Sequence, residues 1–239
     1  MINKFKVGSP LWLKFREQFV TATEVASLLG VNSYMTASQL YNSKMNPSSI
    51  NNQYLRDGKI LEPAVVQALQ IDLGMDISAP CEPGFTLVFS NPDSKISSTP
   101  DAFYWGPGEP AVVECKTTSV ENFEKNWRAG NPPLRYLTQI LVQMYTVGMQ
   151  EGYLACIAIR PNIPLAVYKI QYSKDFEKLM VKRVSEFWAA AEIGKTITTT
   201  KAVREKATEI LKAATTLVGF YEFQNADKSF DELDLNNLF

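Results

Sequence analysis

Two carboxylates and one lysine are spaced in this chain so that they can meet at a single spot. Asp101 follows Thr99-Pro100, and thirteen residues later comes the tripeptide Glu114-Cys115-Lys116. Between them an aromatic strand end, Phe103-Tyr104-Trp105, runs into the turn signals Gly106-Pro107-Gly108-Glu109-Pro110, and Ala111-Val112-Val113 opens an apolar strand. The pattern predicts a hairpin with Asp101 and Glu114 on neighbouring strands. Residues i and i+2 of a strand share a face, so Glu114 and Lys116 point together and Cys115 points away. A hard cation such as Mg²⁺ takes carboxylate and carbonyl oxygens plus waters. A lysine beside it can polarise water or neutralise a developing oxyanion. That is the chemistry of phosphodiester hydrolysis. The same residues also fit an exposed hairpin with a surface salt bridge, and the tripeptide alone does not choose between the two.

Other groups could serve such a site. Glu62 lies in Gly58-Lys59-Ile60-Leu61-Glu62-Pro63, a carboxylate in an otherwise apolar stretch; it is costly there unless paired or metal-bound, or else it lies at a helix edge in water. Gln139 and Gln143 form an i,i+4 pair on a largely apolar helix. Their donors and acceptors could hold a nucleophilic water, or they form a solvated stripe. Arg16 precedes Thr21-Ala22-Thr23-Glu24, a capping box. Helix N-termini bind phosphate through free N–H groups, arginine adds a two-pronged fork, and the Thr23 hydroxyl could complete the pocket. A plain capping box with a surface arginine is the alternative.

Composition narrows the chemistry further. The chain of 239 residues contains no histidine, which excludes Ser-His-Asp triads, HExxH metalloproteases and histidine-metal finger nucleases together. Acid–base work then falls to carboxylates, lysine, tyrosine or metal-bound water. Cys81, Cys115 and Cys156 are far apart with no CxxC, so no disulfide framework or zinc or iron–sulfur site is expected, and a reducing cytoplasm fits. No apolar run is long enough to span a membrane, and the N-terminus lacks a signal-peptide core. A net charge of −1 weighs against a general nucleic-acid binder but leaves room for a local basic channel. Lys4, Lys6, Lys14 and Arg16 crowd one end, and the tail from Asp227 to Asp234 is acidic.

The elements that would position these groups follow from periodicity and punctuation. A lead-in loop from Trp12 gives way to a helix from the capping box to Leu29, ended by Gly30. A short helix follows over Thr36–Lys44, then a polar loop over Asn46–Asn52. A longer helix covers Tyr54–Leu73, and Pro63 is expected to kink or restart it. Strands are predicted over Phe85–Ser90, Ile96–Trp105 and Ala111–Thr117, a helix over Leu134–Met149, and a hairpin over Tyr153–Ile159 and Leu165–Tyr172 with Pro161 and Pro164 in its turn. Amphipathic helices over Asp175–Glu192 and Lys201–Leu217 close the order. The expectation is one α+β domain, with a central mixed, mostly antiparallel sheet flanked by helices. Its core covers about residues 12–192, with a C-terminal helix and acidic tail over about 200–239.

Taken together, Trp12-x-x-x-Arg16, Val20-Thr21-Ala22-Thr23-Glu24-Val25, Leu29-Gly30, Gly58-Lys59-x-x-Glu62, Thr99-Pro100-Asp101, Glu114-Cys115-Lys116 and Tyr136-x-x-Gln139 with Gln143-Met144 resemble the lambda-type phage exonucleases. These form the YqaJ-like viral recombinase family within the PD-(D/E)xK nuclease superfamily, and the resemblance covers roughly residues 12–160. It implies a restriction-endonuclease-like core in which Asp101, Glu114 and the Cys115 carbonyl bind a first Mg²⁺. Glu62 would support a second, and Mn²⁺ would substitute. Lys116 would activate or orient the attacking water, Gln139 would help position it, and Arg16 and Thr23 would hold a 5′-phosphate. The family usually shows serine where Thr23 stands, and the hydroxyl is kept. The implied activity is that of an alkaline-type deoxyribonuclease. It would digest one strand of double-stranded DNA 5′→3′ from an end, leaving a 3′ overhang for phage recombination. Members resemble a homotrimer ring threaded by DNA, working beside a phage single-strand annealing protein in the cytoplasm of the bacterial host. An endonuclease of the same superfamily, or an inactive DNA-binding protein on that fold, are the competing readings. The apolar-acidic segment Phe230–Phe239 matches no family motif and suggests a docking or trimer-edge segment.

Overall fold

A computed structural model of the chain describes residues 1–46, 53–160 and 163–221. The polar loop expected after Asn46, Pro161 in the late turn, and the acidic tail from Asp227 lie outside those residues.

Strand β1 (Ile2–Lys6) leads into helix α1 (Pro10–Glu17), where the sequence predicted a loop. Ser9 opens α1 by accepting the Trp12 N–H at 3.3 Å, and Pro10 takes the first turn, where its missing N–H would be unsatisfied anyway. After β2 (Val20–Thr21) come α2 (Ala22–Leu28) and α3 (Ala37–Met45). Both begin on capping boxes: Glu24 accepts the Thr21 N–H at 2.8 Å, and Gln39 accepts the Thr36 N–H at 2.8 Å. Helix α4 (Gln53–Leu73) runs through Pro63 as one element and does not restart there. Then follow β3 (Ile77–Ser78), β4 (Phe85–Asn91), β5 (Ile96–Ser98), β6 (Ala102–Tyr104) and β7 (Ala111–Thr118). A short α5 (Val120–Asn122) and a π-helical turn (Phe123–Arg128) precede α6 (Leu134–Val147), which ends at Gly148 in the left-handed region at φ 86°. The chain continues through β8 (Glu151–Ala158), β9 (Leu165–Gln171), α7 (Lys174–Glu192), α8 (Lys201–Ala213) and β10 (Thr215–Tyr221).

Among the described residues the strands form two sheets, a four-stranded one ordered β1-β4-β5-β2 and a six-stranded one ordered β10-β9-β8-β7-β6-β3. In the larger sheet only β7 and β8 run parallel, and α6 lies on the crossover between them. This is the predicted α+β fold with a mixed, mostly antiparallel sheet flanked by helices. Two further elements differ from expectation. The single strand expected over Ile96–Trp105 is split into β5 and β6, which belong to different sheets. The last helix stops at Ala213, and residues expected to continue it form β10 against β9. Thr215, Thr216 and Val218 are β-branched and favour a pleated surface over a helix.

Helices α6 and α4 cover opposite faces of the larger sheet. On one face Val112, Leu154 and Cys156 pack with Leu137, Ile140, Leu141 and Met144 of α6. On the other, Val65 and Leu69 of α4 meet Ala102, Val113, Cys115 and Ala155. A Cβ built on Gly152 would lie 2.9 Å from Ile140 Cδ1 and 3.0 Å from Met144 Sδ. The bare glycine therefore sets how closely α6 approaches the sheet. The two-residue period of β7 then aims Glu114 and Lys116 at the α6 side with Val112, and Cys115 at the α4 side.

Candidate active site

The break between β5 and β6 creates the site. Pro100 has no N–H to give a ladder. At this point the chain leaves the smaller sheet after Ser98 and joins the larger at Ala102, leaving Asp101 at the junction. Pairing of β6 with β7 stops at Ala102 opposite Val113, so the β7 backbone beyond it has lost that neighbour. The Asp101 carboxylate takes over, accepting the Cys115 N–H at 2.9 Å.

Glu114 is fully buried. One of its oxygens accepts the Gln143 amide N–H at 2.5 Å, and the other is bound by the Lys116 ammonium. The Gln143 amide also reaches the Thr99 carbonyl at 3.4 Å. Lys116 Nζ lies 5.0 Å from the centre of the Tyr136 ring, a cation–π distance. Burial alone would push Lys116 down, but the charges of Glu114 and Asp101 outweigh it and hold the ammonium above the ordinary lysine range. Lys116 is therefore a fixed positive charge in this arrangement. Asp101 keeps some exposure, yet the protein around its carboxylate raises it well above the usual range. The Glu114 charge adds to that rise, Lys116 opposes it, and Glu62 adds a smaller push. Glu62, half-buried on α4, is thus near enough to be felt at Asp101. Burial likewise raises the Cys115 thiol, which is neutral and no nucleophile.

Among the described residues no three His, Cys, Asp or Glu side chains already converge as a metal cage. Asp101 and Glu114 are tied to N–H donors and Lys116 instead. The donor set nevertheless fits a hard cation: carboxylate oxygens of Asp101 and Glu114 beside the Cys115 backbone, with a further carboxylate from Glu62. Burial is the main cause of the rise at Asp101, and the repulsion from Glu114 and Glu62 that adds to it is what a divalent ion would relieve.

Next to this cluster lies a small, partly open cleft lined by Arg16, Thr21, Ala22, Thr23, Val88, Ser97, Ser98, Thr99 and Gln139. The Thr23 hydroxyl is 3.1 Å from that of Thr21, and the Arg16 guanidinium lies 4.7 Å from the Trp12 ring centre. One cation, several hydroxyls and an amide make a lining suited to an oxyanion. The structure thus brings the expected site residues together as two neighbouring groups. Asp101, Glu114, Cys115, Lys116 and Glu62 form one; Arg16, Thr23 and Gln139 form the other. Gln139 lines the cleft, and Gln143 is the amide that binds Glu114. The hydroxyls of Ser97, Ser98 and Thr99 were not singled out in the sequence, although their run immediately before Pro100 was a signal.

The architecture is that of phage-type exonucleases. The structure resembles an alkaline exonuclease (LHK-Exo) from Laribacter hongkongensis, with a TM-score of 0.62 and 18% identity over 84% of this chain and 99% of that one. The same enzyme in complex with dAMP matches with a TM-score of 0.62 at 19% identity, over 84% of this chain and 99% of that one. A phage-related exonuclease from Haemophilus somnus 129PT matches with a TM-score of 0.51 and 13% identity over 82% of this chain and 96% of that one. Identities this low establish the fold alone. Residues 11–150 match the YqaJ-like viral recombinase domain, and the chain belongs to that family. The uncharacterized protein YqaJ of Bacillus subtilis (strain 168) is 25% identical over 191 residues, covering 77% of this chain and 56% of that protein. The chain therefore spans little more than half the length of this relative.

Proposed function

We propose that the chain is a nuclease of the phage-exonuclease kind. It digests one strand of linear double-stranded DNA 5′→3′ from a 5′-phosphorylated end, with Mg²⁺ or Mn²⁺, and leaves a 3′ overhang for recombination by strand annealing. The family and the fold both support a nuclease, and dAMP bound to the structural neighbour supports a deoxynucleotide substrate. The observation that carries the finer reading is the course of α6. Gln139 lines the cleft and Gln143, one turn on, holds Glu114. Four residues of helix advance about 6 Å, so a strand end held in the cleft puts the next phosphodiester near the carboxylates.

In this reading Arg16 and Thr23 bind the terminal phosphate, and Gln139 borders it. Asp101, Glu114 and the Cys115 carbonyl would hold one Mg²⁺, and Glu62 with Asp101 a second. A metal held by these residues would supply Lewis-acid charge and lower the pKa of attacking water. The Lys116 ammonium orients that water and offsets charge developing on the phosphoryl oxygens. Gln143 keeps the Glu114 carboxylate aimed. Water adds to phosphorus, the P–O3′ bond breaks, and the first nucleotide leaves. The new strand end again carries a 5′-phosphate, so each cut regenerates the group that the cleft binds. A homotrimer ring around DNA, acting beside an annealing protein in the cytoplasm of a bacterial host, completes the proposal. It is compatible with a net charge of −1 when basic groups line only the channel.

The test is a gel of 5′-phosphorylated linear duplex beside covalently closed circular duplex. With Mg²⁺ the linear DNA is expected to disappear and the circle to persist; a chelator should protect both. Linearisation of the circle would establish an endonuclease instead. Failure to cut any DNA with Mg²⁺ or Mn²⁺ would refute the enzyme.

A further inference from the structure

Behind the cleft lies an ion pair that its lining does not include. Lys44 on α3 and Glu24 on α2 keep only 6% and 18% of their side chains exposed, and Lys44 Nζ lies 2.9 Å from Glu24 Oε2. The same ammonium donates to the Arg16 carbonyl at 3.0 Å. The same Glu24 oxygen accepts the Thr21 N–H at 2.8 Å. One carboxylate thus fixes the start of the helix that bears Thr23, and one ammonium fixes the end of the helix that bears Arg16.

The charges also act on one another. Burial lowers the Arg16 guanidinium and the nearby Glu24 charge raises it again. Burial lowers Lys44 as well; Glu24 opposes this, Arg16 adds to it, and exposed Glu17 contributes last. Glu24 is therefore within electrostatic reach of both cations. Left alone, its charge would offset that of Arg16 and oppose any anion entering the cleft. With Lys44 in place, the three groups carry one net positive charge.

We propose that Lys44 is a positioning residue that sets specificity for a phosphorylated strand end: by neutralising Glu24 it leaves the Arg16 charge available to the terminal phosphate. The proposal rests on the reading of the cleft as a 5′-phosphate site. It also accounts for a carboxylate beside such a site, because Glu24 serves as the helix cap and Lys44 removes its electrostatic cost.

The test is the ratio of dissociation constants for duplexes ending in 5′-hydroxyl and 5′-phosphate, measured by fluorescence anisotropy in chelator so that no cleavage intervenes. Wild type is expected to favour the phosphate. Lys44→Met should lower that preference on the order of ten-fold, the size of one unit charge acting across several ångströms of partly screened protein. Glu24→Gln keeps an acceptor for the Thr21 N–H and should raise the preference, and the double variant should return close to wild type. A purely structural clamp would make both single variants lose preference and the double variant worst, and that result would overturn the proposal. If Lys44→Met fails to fold, the direction of Glu24→Gln decides: a rise supports the proposal, and no change or a fall overturns it. A wild type indifferent to the phosphate removes the cleft reading and this proposal together. A wild type that prefers phosphate, without opposite responses to the two charges, removes only the role of Lys44.

Discussion

Replacing Gln143 by leucine isolates one interaction of the site. The change keeps side-chain size and removes the N–H that Glu114 accepts at 2.5 Å. Glu114 is fully buried, so no water replaces the lost donor, and only Lys116 remains to it. A hydrogen bond to a buried charge contributes about 2 kcal/mol. For a chain of this size each kcal/mol moves the melting point by roughly 2–4 °C, so metal-free Gln143→Leu should melt roughly 4–8 °C below wild type. Removing a group that holds a metal-binding carboxylate costs about 10–100-fold in metal affinity or activity. That loss should show in a Mg²⁺ titration of single-turnover digestion of a 5′-phosphorylated linear duplex. Gln143→Glu sharpens the test. A second carboxylate against Glu114 should destabilise the metal-free protein further, and Mg²⁺ should restore part of the loss, because a cation joins two like charges. A Gln143→Leu melting point within about 1 °C of wild type, with an unchanged Mg²⁺ titration, would refute the assigned contact and the reasoning from it.

Other outcomes follow from the same geometry. Lys116→Met should lower the rate of digestion by at least about 10²-fold, the cost of losing one preorganised charge-stabilising donor, while the circular dichroism spectrum stays native; undiminished digestion would remove Lys116 from the mechanism. Arg16→Ala should lose most of its preference for 5′-phosphorylated over 5′-hydroxyl ends in initial-rate comparisons, and a retained preference would move the phosphate site elsewhere. Gly152→Ala would set a methyl group 2.9 Å from Ile140 Cδ1, an overpacking expected to cost about 1–3 kcal/mol. Its melting curve should shift down, and an unchanged melting point would show that α6 can retreat freely from the sheet.

Much of the site could be read locally. The Gly/Pro turn between two apolar runs predicts the hairpin, and the two-residue period puts Glu114 and Lys116 on one face, as found. The capping residues Thr21 and Thr36 mark where α2 and α3 begin. Local signals failed where two tendencies competed. The amphipathic pattern of α8 carries on into Thr215–Leu217, but pairing with β9 takes those residues into a strand. A run of strand-forming residues continues across Thr99-Pro100-Asp101, but Pro100 cannot extend a ladder and the chain changes sheets there.

The Glu114 and Lys116 pair is thus a property of the sequence itself, since strand period acts over a few residues and needs no distant partner, whereas Asp101 joins it where the chain changes sheets at Pro100. Its alternatives, an exposed salt-bridged hairpin or a buried reactive centre, differ only in what covers it. The cover is long-range: α6 pressed onto the sheet at Gly152 places Gln143 on Glu114 and turns Gln139 to the cleft. Periodicity puts both glutamines on one helical face and assigns neither a partner. Lys44 makes the same point, a polar residue on a short helix whose burial against Glu24 and the Arg16 carbonyl exists only once α1, α2 and α3 have packed. Residue types and their spacing name the chemistry, and the packing of distant elements supplies the burial, the neighbouring charges and the adjacent cleft that give it a direction.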